Sequence, residues 1–150
     1  MEAIESLRNQ HREMLSIFDE LEITTDELER TRLLAQIAER LKTHSEVEEE
    51  VFYPAVRMLG PDAVAVVDEA LAAHRAADLV LDETLGAQAT EGNVKVLRDV
   101  IQRHVDDEEQ RMFPLAERLG ATALVKLAVR IDNRTDELDS EEDEDATAVH

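Results

Sequence analysis

The chain writes one segment twice, sixty positions apart. His44-Ser-Glu-Val-Glu48 returns as His104-Val-Asp-Asp-Glu108, and Glu49, Tyr53, Pro54, Leu59 and Gly60 return as Glu109, Phe113, Pro114, Leu119 and Gly120. An isolated histidine precedes each copy, His11 before the first and His74 before the second. A chain of this kind must present the same local structure twice, which points to two like halves related by an approximate two-fold axis.

Periodicity says what those halves are made of. Apolar and histidine positions step by three or four along four stretches, the signature of amphipathic helices. The first stripe is Ile4, Leu7, His11, Leu15, Phe18 and Leu21. The second, after a cap at Thr24 or Thr25, is Leu34, Ile37, Leu41, His44, Glu48, Val51 and Ala55. The third opens at Pro61-Asp62, runs through Val67, Leu71, His74, Asp78, Leu81 and Leu85, and stops at Gly86. The fourth opens near Gly92-Asn93 and runs Val94, Leu97, Ile101, His104 and Glu108. Four Gly, three Pro and a backbone rich in Ala, Leu, Glu and Arg favour helix over sheet. Short connections make consecutive helices antiparallel, so the expected fold is all-α, an up-down-up-down four-helix bundle that with one accessory helix fills residues 1–131.

Pro54 and Pro114 remove a backbone donor six residues after each motif glutamate, so both helices are expected to kink or end there. A short last helix is expected from about Ala121 to Ile131, outside the bundle. From Asp132 to His150 there are nine acidic residues and one Arg, and this segment (132–150) reads as a solvated, disordered tail with no role for His150.

His44 and Glu48 lie four apart, one turn up the same helix face, as do His104 and Glu108. All four sit on apolar stripes with His11 and His74, and no Lys or Arg shares those stripes to neutralise them. Burying two carboxylates and four imidazoles unpaired would be heavily unfavourable, and metal cations are the simplest counter-charge. The candidate ligands are therefore His11, His44, Glu48, His74, His104 and Glu108. Four nitrogens, four oxygens if each glutamate bridges, and a shared oxo or hydroxo bridge leave about one vacant position on each of two octahedral ions. That donor set suits two iron ions better than zinc or magnesium, while manganese accepts the same ligand types. Glu49 and Glu109 read as surface groups or as acceptors for histidine ring N–H groups. Tyr53 and Phe113 read as core packing, or as a lining of the vacant positions. Met14, Phe18 and Met112 read as core.

The pattern His11, His44-x-x-x-Glu48, His74, His104-x-x-x-Glu108 resembles the hemerythrin-like, or HHE cation-binding, family over nearly the whole chain to about Leu119. The resemblance implies terminal ligation of iron by His11, His44, His74 and His104, and bridging by Glu48 and Glu108. Oxygen-carrying members have a fifth histidine and an Asp in the fourth-helix motif. This chain ends that motif in Glu108 and has no candidate for the extra ligand histidine, so it is more similar to the branch with four histidines and two glutamates. That branch, with its mycobacterial-type members, implies peroxide breakdown of catalase type and protection from oxidative stress. Dioxygen or nitric oxide binding and sensing, or iron homeostasis without turnover, stand as alternatives.

Other classes are excluded more simply. With no cysteine, disulfides, thiolate zinc sites and iron–sulfur clusters are ruled out. A net charge of -20 repels nucleic acid and anionic membranes. The start of the chain is charged and periodic rather than signal-like, and no apolar stretch approaches a membrane span. A cytoplasmic protein acting on small ligands such as O2, H2O2 or NO is the expectation.

Overall fold

The computed structural model describes residues 1–86 and 90–148, so His150 lies outside the described residues. Every regular element among them is helical. α1 spans Ala3–Ile23 and α2 Glu27–Val47; α3 is a short continuation, Tyr53–Arg57; α4 spans Pro61–Gly86 and α5 Glu91–Asp107; α6 is short, Phe113–Ala116; and α7 spans Ala121–Ala148. α1 packs on α2 and α4 on α5, and the two hairpins meet across α1–α5 and α2–α4, giving the expected four-helix bundle.

Local chemistry sets the helix starts. Glu2 accepts from the Glu5 amide, Asp26 from Glu29 and Thr90 from Asn93, each satisfying a backbone donor that has no partner within its helix. The second helix is thus capped by Asp26 rather than by Thr24 or Thr25, and the Thr24 hydroxyl instead donates back to the Glu20 carbonyl. Both copies of the repeat close on a glycine of positive φ, 131° at Gly60 and 90° at Gly120, a conformation that other residues adopt only with strain. From each glycine carbonyl the next helix takes its first bond, Val64 to Gly60 and Leu124 to Gly120, both 3.0 Å.

The proline segments do more than kink. Directly after each motif, Glu48–Phe52 and Glu108–Met112 form π-helical turns, in which the amides of Tyr53 and Phe113 bond to the carbonyls of Glu48 and Glu108, five residues back. One extra residue per turn shifts the inward stripe. After Glu48 the fully buried positions are Phe52, Tyr53 and Val56, while Ala55, expected on the stripe, is only partly buried.

The last helix corrects the expected boundary at Ile131. It continues to Ala148, and residues 132–148 are helix rather than a disordered tail. Ile131 and Leu138, two turns apart on one face, are both buried in the same apolar cluster as Ile4, Leu7 and Val51. Arg134 bonds Glu50 and Glu137, Gln10 donates to the Thr135 hydroxyl at 3.2 Å, and Thr43 reaches Glu142. With no Gly or Pro after Gly120 to stop it, a helix with one buried stripe persists despite its acidic outer face. It lies along α1 and α2.

Two apolar clusters fill the bundle. One holds Leu7, Phe52, Tyr53, Val67, Met112, Phe113 and Ile131; the other holds Met14, Phe18, Ile37, Leu41, Leu81, Leu97 and Ile101. Along every helix the histidines and motif glutamates fall between them: His11 lies between Leu7 and Met14, and His104 between Ile101 and Met112. A single polar layer therefore divides the core.

Candidate metal centre

Each of the four helices contributes one histidine to that layer, and α2 and α5 hand over a glutamate one turn later. All six side chains are buried, with Glu48 at 0% and Glu108 at 2% exposure. They form two groups of four, His11–His44–Glu48–Glu108 and Glu48–His74–His104–Glu108, and within each group the ligand atoms lie within 4.8 Å of one another. Both glutamates belong to both groups, so the sequence-derived residues are all brought together and none is left out.

The distances show how tightly. His11 Nε2 is 3.1 Å from His44 Nε2, and His74 Nε2 is 3.0 Å from His104 Nε2. Glu48 Oε1 stands 3.0 Å from His44 Nε2 and 3.1 Å from His74 Nε2, a bridge between the halves. Glu108 faces His104 Nε2 at 3.3 Å through Oε2 and His11 Nε2 at 3.4 Å through Oε1. Glu48 Oε2 and Glu108 Oε1 are buried without a hydrogen-bond partner among the described residues. An unsatisfied buried acceptor costs about 1–3 kcal/mol, and more when it is charged. Two such oxygens amid four converging imidazole nitrogens fit the space and the charge of metal cations.

Protonation tells the same story from the other side. Burial opposes charge on His104, yet hydrogen bonds to Glu108 and Glu48 outweigh it and push the imidazole up to about 10. His11 and His74 are raised for the same reasons, burial opposing and the glutamates prevailing. Burial alone would raise the Glu48 carboxyl, but the His44 charge and hydrogen bonds within the cluster hold it well below the usual carboxylate range. The metal-free layer thus balances its carboxylates with protons, which a cation would displace.

The outer ring nitrogens are held in turn. His11 Nδ1 meets Glu109 Oε2 at 3.2 Å, and His74 Nδ1 meets Glu49 Oε2 at the same distance. His44 Nδ1 meets Gln10 Oε1 at 2.8 Å. The π turns swing the residue after each motif glutamate across to the histidine of the opposite hairpin. Spacing read as an ordinary helix leaves Glu49 and Glu109 between surface and partner roles, and the structure gives both to histidines. Gln10 carries no signal in the sequence beyond lying next to His11.

Tyr53 belongs inside the layer as well as to the core. Its hydroxyl donates to Glu108 Oε2 at 2.7 Å, lies 3.3 Å from Glu48 Oε1, and is 3.1 Å from His74 Nε2. Burial and the two carboxylates raise its pKa far above the ordinary phenol value. Phe113 in the other half stacks on His11, with 6.0 Å between ring centroids.

A four-helix bundle that buries two carboxylates and four imidazoles in one layer defines a helical metal-binding protein. The comparison with known families agrees: residues 2–116 match the hemerythrin HHE cation binding domain, and the chain belongs to that family. The fold is also that of a hemerythrin HHE cation binding domain-containing protein from Mycobacterium kansasii, with a TM-score of 0.85 over 94% of this chain and 89% of that one, at 21% identity. A protein from Nostoc sp. named DNA nickase is 29% identical over 109 residues, 71% of this chain. The chain spans 31% of that relative, about a third of its length.

Proposed function

We propose that the six-residue layer holds two iron ions and that the protein decomposes hydrogen peroxide in the manner of a catalase, two peroxides giving two waters and one dioxygen. The observation that carries the reading is the pair of shared glutamates, each with a buried oxygen lacking a hydrogen-bond partner among the described residues, between two matching pairs of histidines. Iron held there supplies reversible electron transfer to a dioxygen-derived ligand. His11 with His44 would hold one ion, and His74 with His104 the other. Glu48 and Glu108 would span both and balance their charge. Glu49, Glu109 and Gln10 orient the rings, Tyr53 keeps a hydroxyl proton at Glu108, and the two apolar clusters exclude bulk water.

Binding of dioxygen or nitric oxide without turnover is the second reading. It draws on the Nostoc relative, in which the matching segment is one part of a much longer chain, as suits a binding module. The nicking activity in that relative's name is not carried over, since a charge of -20 opposes a polyanion. Among the described residues no helix is long and apolar enough to cross a membrane, which fits action on small dissolved ligands.

The test is the optical spectrum of anaerobically reduced, iron-loaded protein on adding dioxygen and then peroxide. Evolution of dioxygen gas from peroxide, with the ferric spectrum recovered, supports the enzyme. A dioxygen-induced band that vanishes under vacuum, with no gas from peroxide, replaces it with a carrier or sensor. Manganese in place of iron in protein purified from its own cells would overturn the metal assignment.

A further inference from the structure

The two halves of the bundle are alike in their ligands and unlike in what stands outside them. His11 and His74 are 63 positions apart, and at that offset Leu7 corresponds to Ala70 and Gln10 to Ala73. At the sixty-residue offset of the motifs, Val47 corresponds to Asp107 and Val51 to Arg111. In the first half Leu7, Val47 and Val51 are buried and covered by α7, whose Leu127, Ile131 and Leu138 join their cluster. Among the described residues no helix covers the equivalent face of the second half: Asp107 and Arg111 are exposed, and the alanines leave space.

That space is continuous in its lining. A cleft of about 40 Å³ between α4 and the second π turn touches Ala70, Ala73, His104 and Glu108. A wider outer groove of about 400 Å³ between α4 and α5 shares Ala73, His104 and Asp107 with it. Ala73 lines both. A water needs roughly 10–15 Å³ of such space, so the inner cleft has room for a few small molecules. The Arg111–Glu69 ion pair lies across its rim. The first half is built differently. Its cavity, about 200 Å³, reaches His44 but neither motif glutamate, and Gln10 stands in it, tied to both His44 Nδ1 and the Thr135 hydroxyl.

We infer that small uncharged molecules of a few atoms reach the buried layer through the α4–α5 groove, past Ala73 to Glu108 and His104. The acidic and basic groups at the rim slow charged species. This rests on the metal-centre reading and adds to it the side from which the centre is served.

The absence of cysteine makes the test clean. Ala73→Cys and Asn9→Cys proteins, the second substituted in the lining of the first-half cavity, are loaded with iron and then capped with iodoacetamide or with a bulky maleimide. Iron content is measured before and after capping, and the association rate of nitric oxide with the reduced protein is followed by stopped flow. The bulky cap at position 73 should slow association about tenfold relative to the small cap, because a filled passage leaves no gap wider than water. The same pair of caps at position 9 should give equal rates. Ala73→Leu, which needs no label, should be slow as well. Equal rates for both caps at position 73, failure of the folded Ala73→Cys protein to take up either label, or a larger effect at position 9 would each overturn the entrance. Unmodified protein that takes up no iron would sink the metal reading itself, a separate result.

Discussion

Tyr53 and Phe113 occupy the same place in the two halves of the bundle, and only Tyr53 carries a hydroxyl to the shared carboxylates. The phenyl and phenol rings both lie against a ligand histidine, so packing is matched while hydrogen bonding is not. Tyr53→Phe should therefore leave iron stoichiometry near the parent value and destabilise the metal-free protein by about 1–3 kcal/mol, the range for a lost partner of a buried charged acceptor. Urea unfolding of the metal-free proteins measures this. Equal stability would mean that Glu108 finds another donor.

Sharing of the glutamates predicts a graded response in metal content. Glu48→Ala or Glu108→Ala removes a donor from both groups, whereas His44→Ala removes one from a single group. The glutamate variants should lose most of both ions and the histidine variant mainly one, as read by elemental analysis after gel filtration. Identical losses in all three would show that the two groups do not fill independently.

Glu49 and Glu109 should matter without touching metal. Each accepts from a ring nitrogen facing away from the layer, on His74 and His11. Glu49→Ala and Glu109→Ala should weaken iron binding about 10- to 100-fold, the usual effect of losing such a partner. Competition against a chelator of known affinity gives the number, and Glu→Gln at either position should recover part of the loss.

The metal-free protein should lose stability in base. His104 is raised from an ordinary 6.5 to about 10, so its contribution is full below 6.5 and fades as pH climbs through 10. Glu48 is lowered, and its contribution is present above the ordinary carboxylate range and fades in acid. Thermal melts of the metal-free protein should give a Tm lower by at least about 3 °C at pH 10 than at pH 6.5. Metal binding runs the other way over the same window, because each cation must displace imidazole protons.

The acidic end of α7 should contribute to stability. Leu138 is 6% exposed in the cluster that covers Val51, and Leu138→Ala should cost about 2–3 kcal/mol by the usual loss and cavity terms. Truncation after Ile131 should lower the Tm further while leaving the ligand residues intact. A melt unchanged by truncation would restore the reading of a free tail.

The convergence of the six residues was legible because four stripes had to agree, and no apolar packing explains two carboxylates among them. What escaped did so for definable reasons. The π turns are invisible to a search for steps of three and four, since they add one residue and move the buried stripe from Ala55 to Tyr53 and Val56. Which acids serve the histidines depends on that same shift. The far end of α7 escaped because Ile131 and Leu138 are only two apolar residues among many acids, and ion pairs such as Arg134–Glu50 depend on a partner 84 positions away.

Gly60 and Gly120 set a sixty-residue cadence that carries past the two motifs into α7. Each glycine launches a helix with the same first bond, and sixty positions on from Val67 stands Leu127, also buried. Sixty on from His74, however, stands Arg134, which pairs with Glu50 instead of entering the core. α7 thus keeps the hinge of the repeat and carries an arginine where the earlier helix carries a histidine. It closes an apolar flank behind it and turns an acidic one outward. By shutting one flank of a duplicated scaffold, it makes the two sides of a near-symmetric interior unequal.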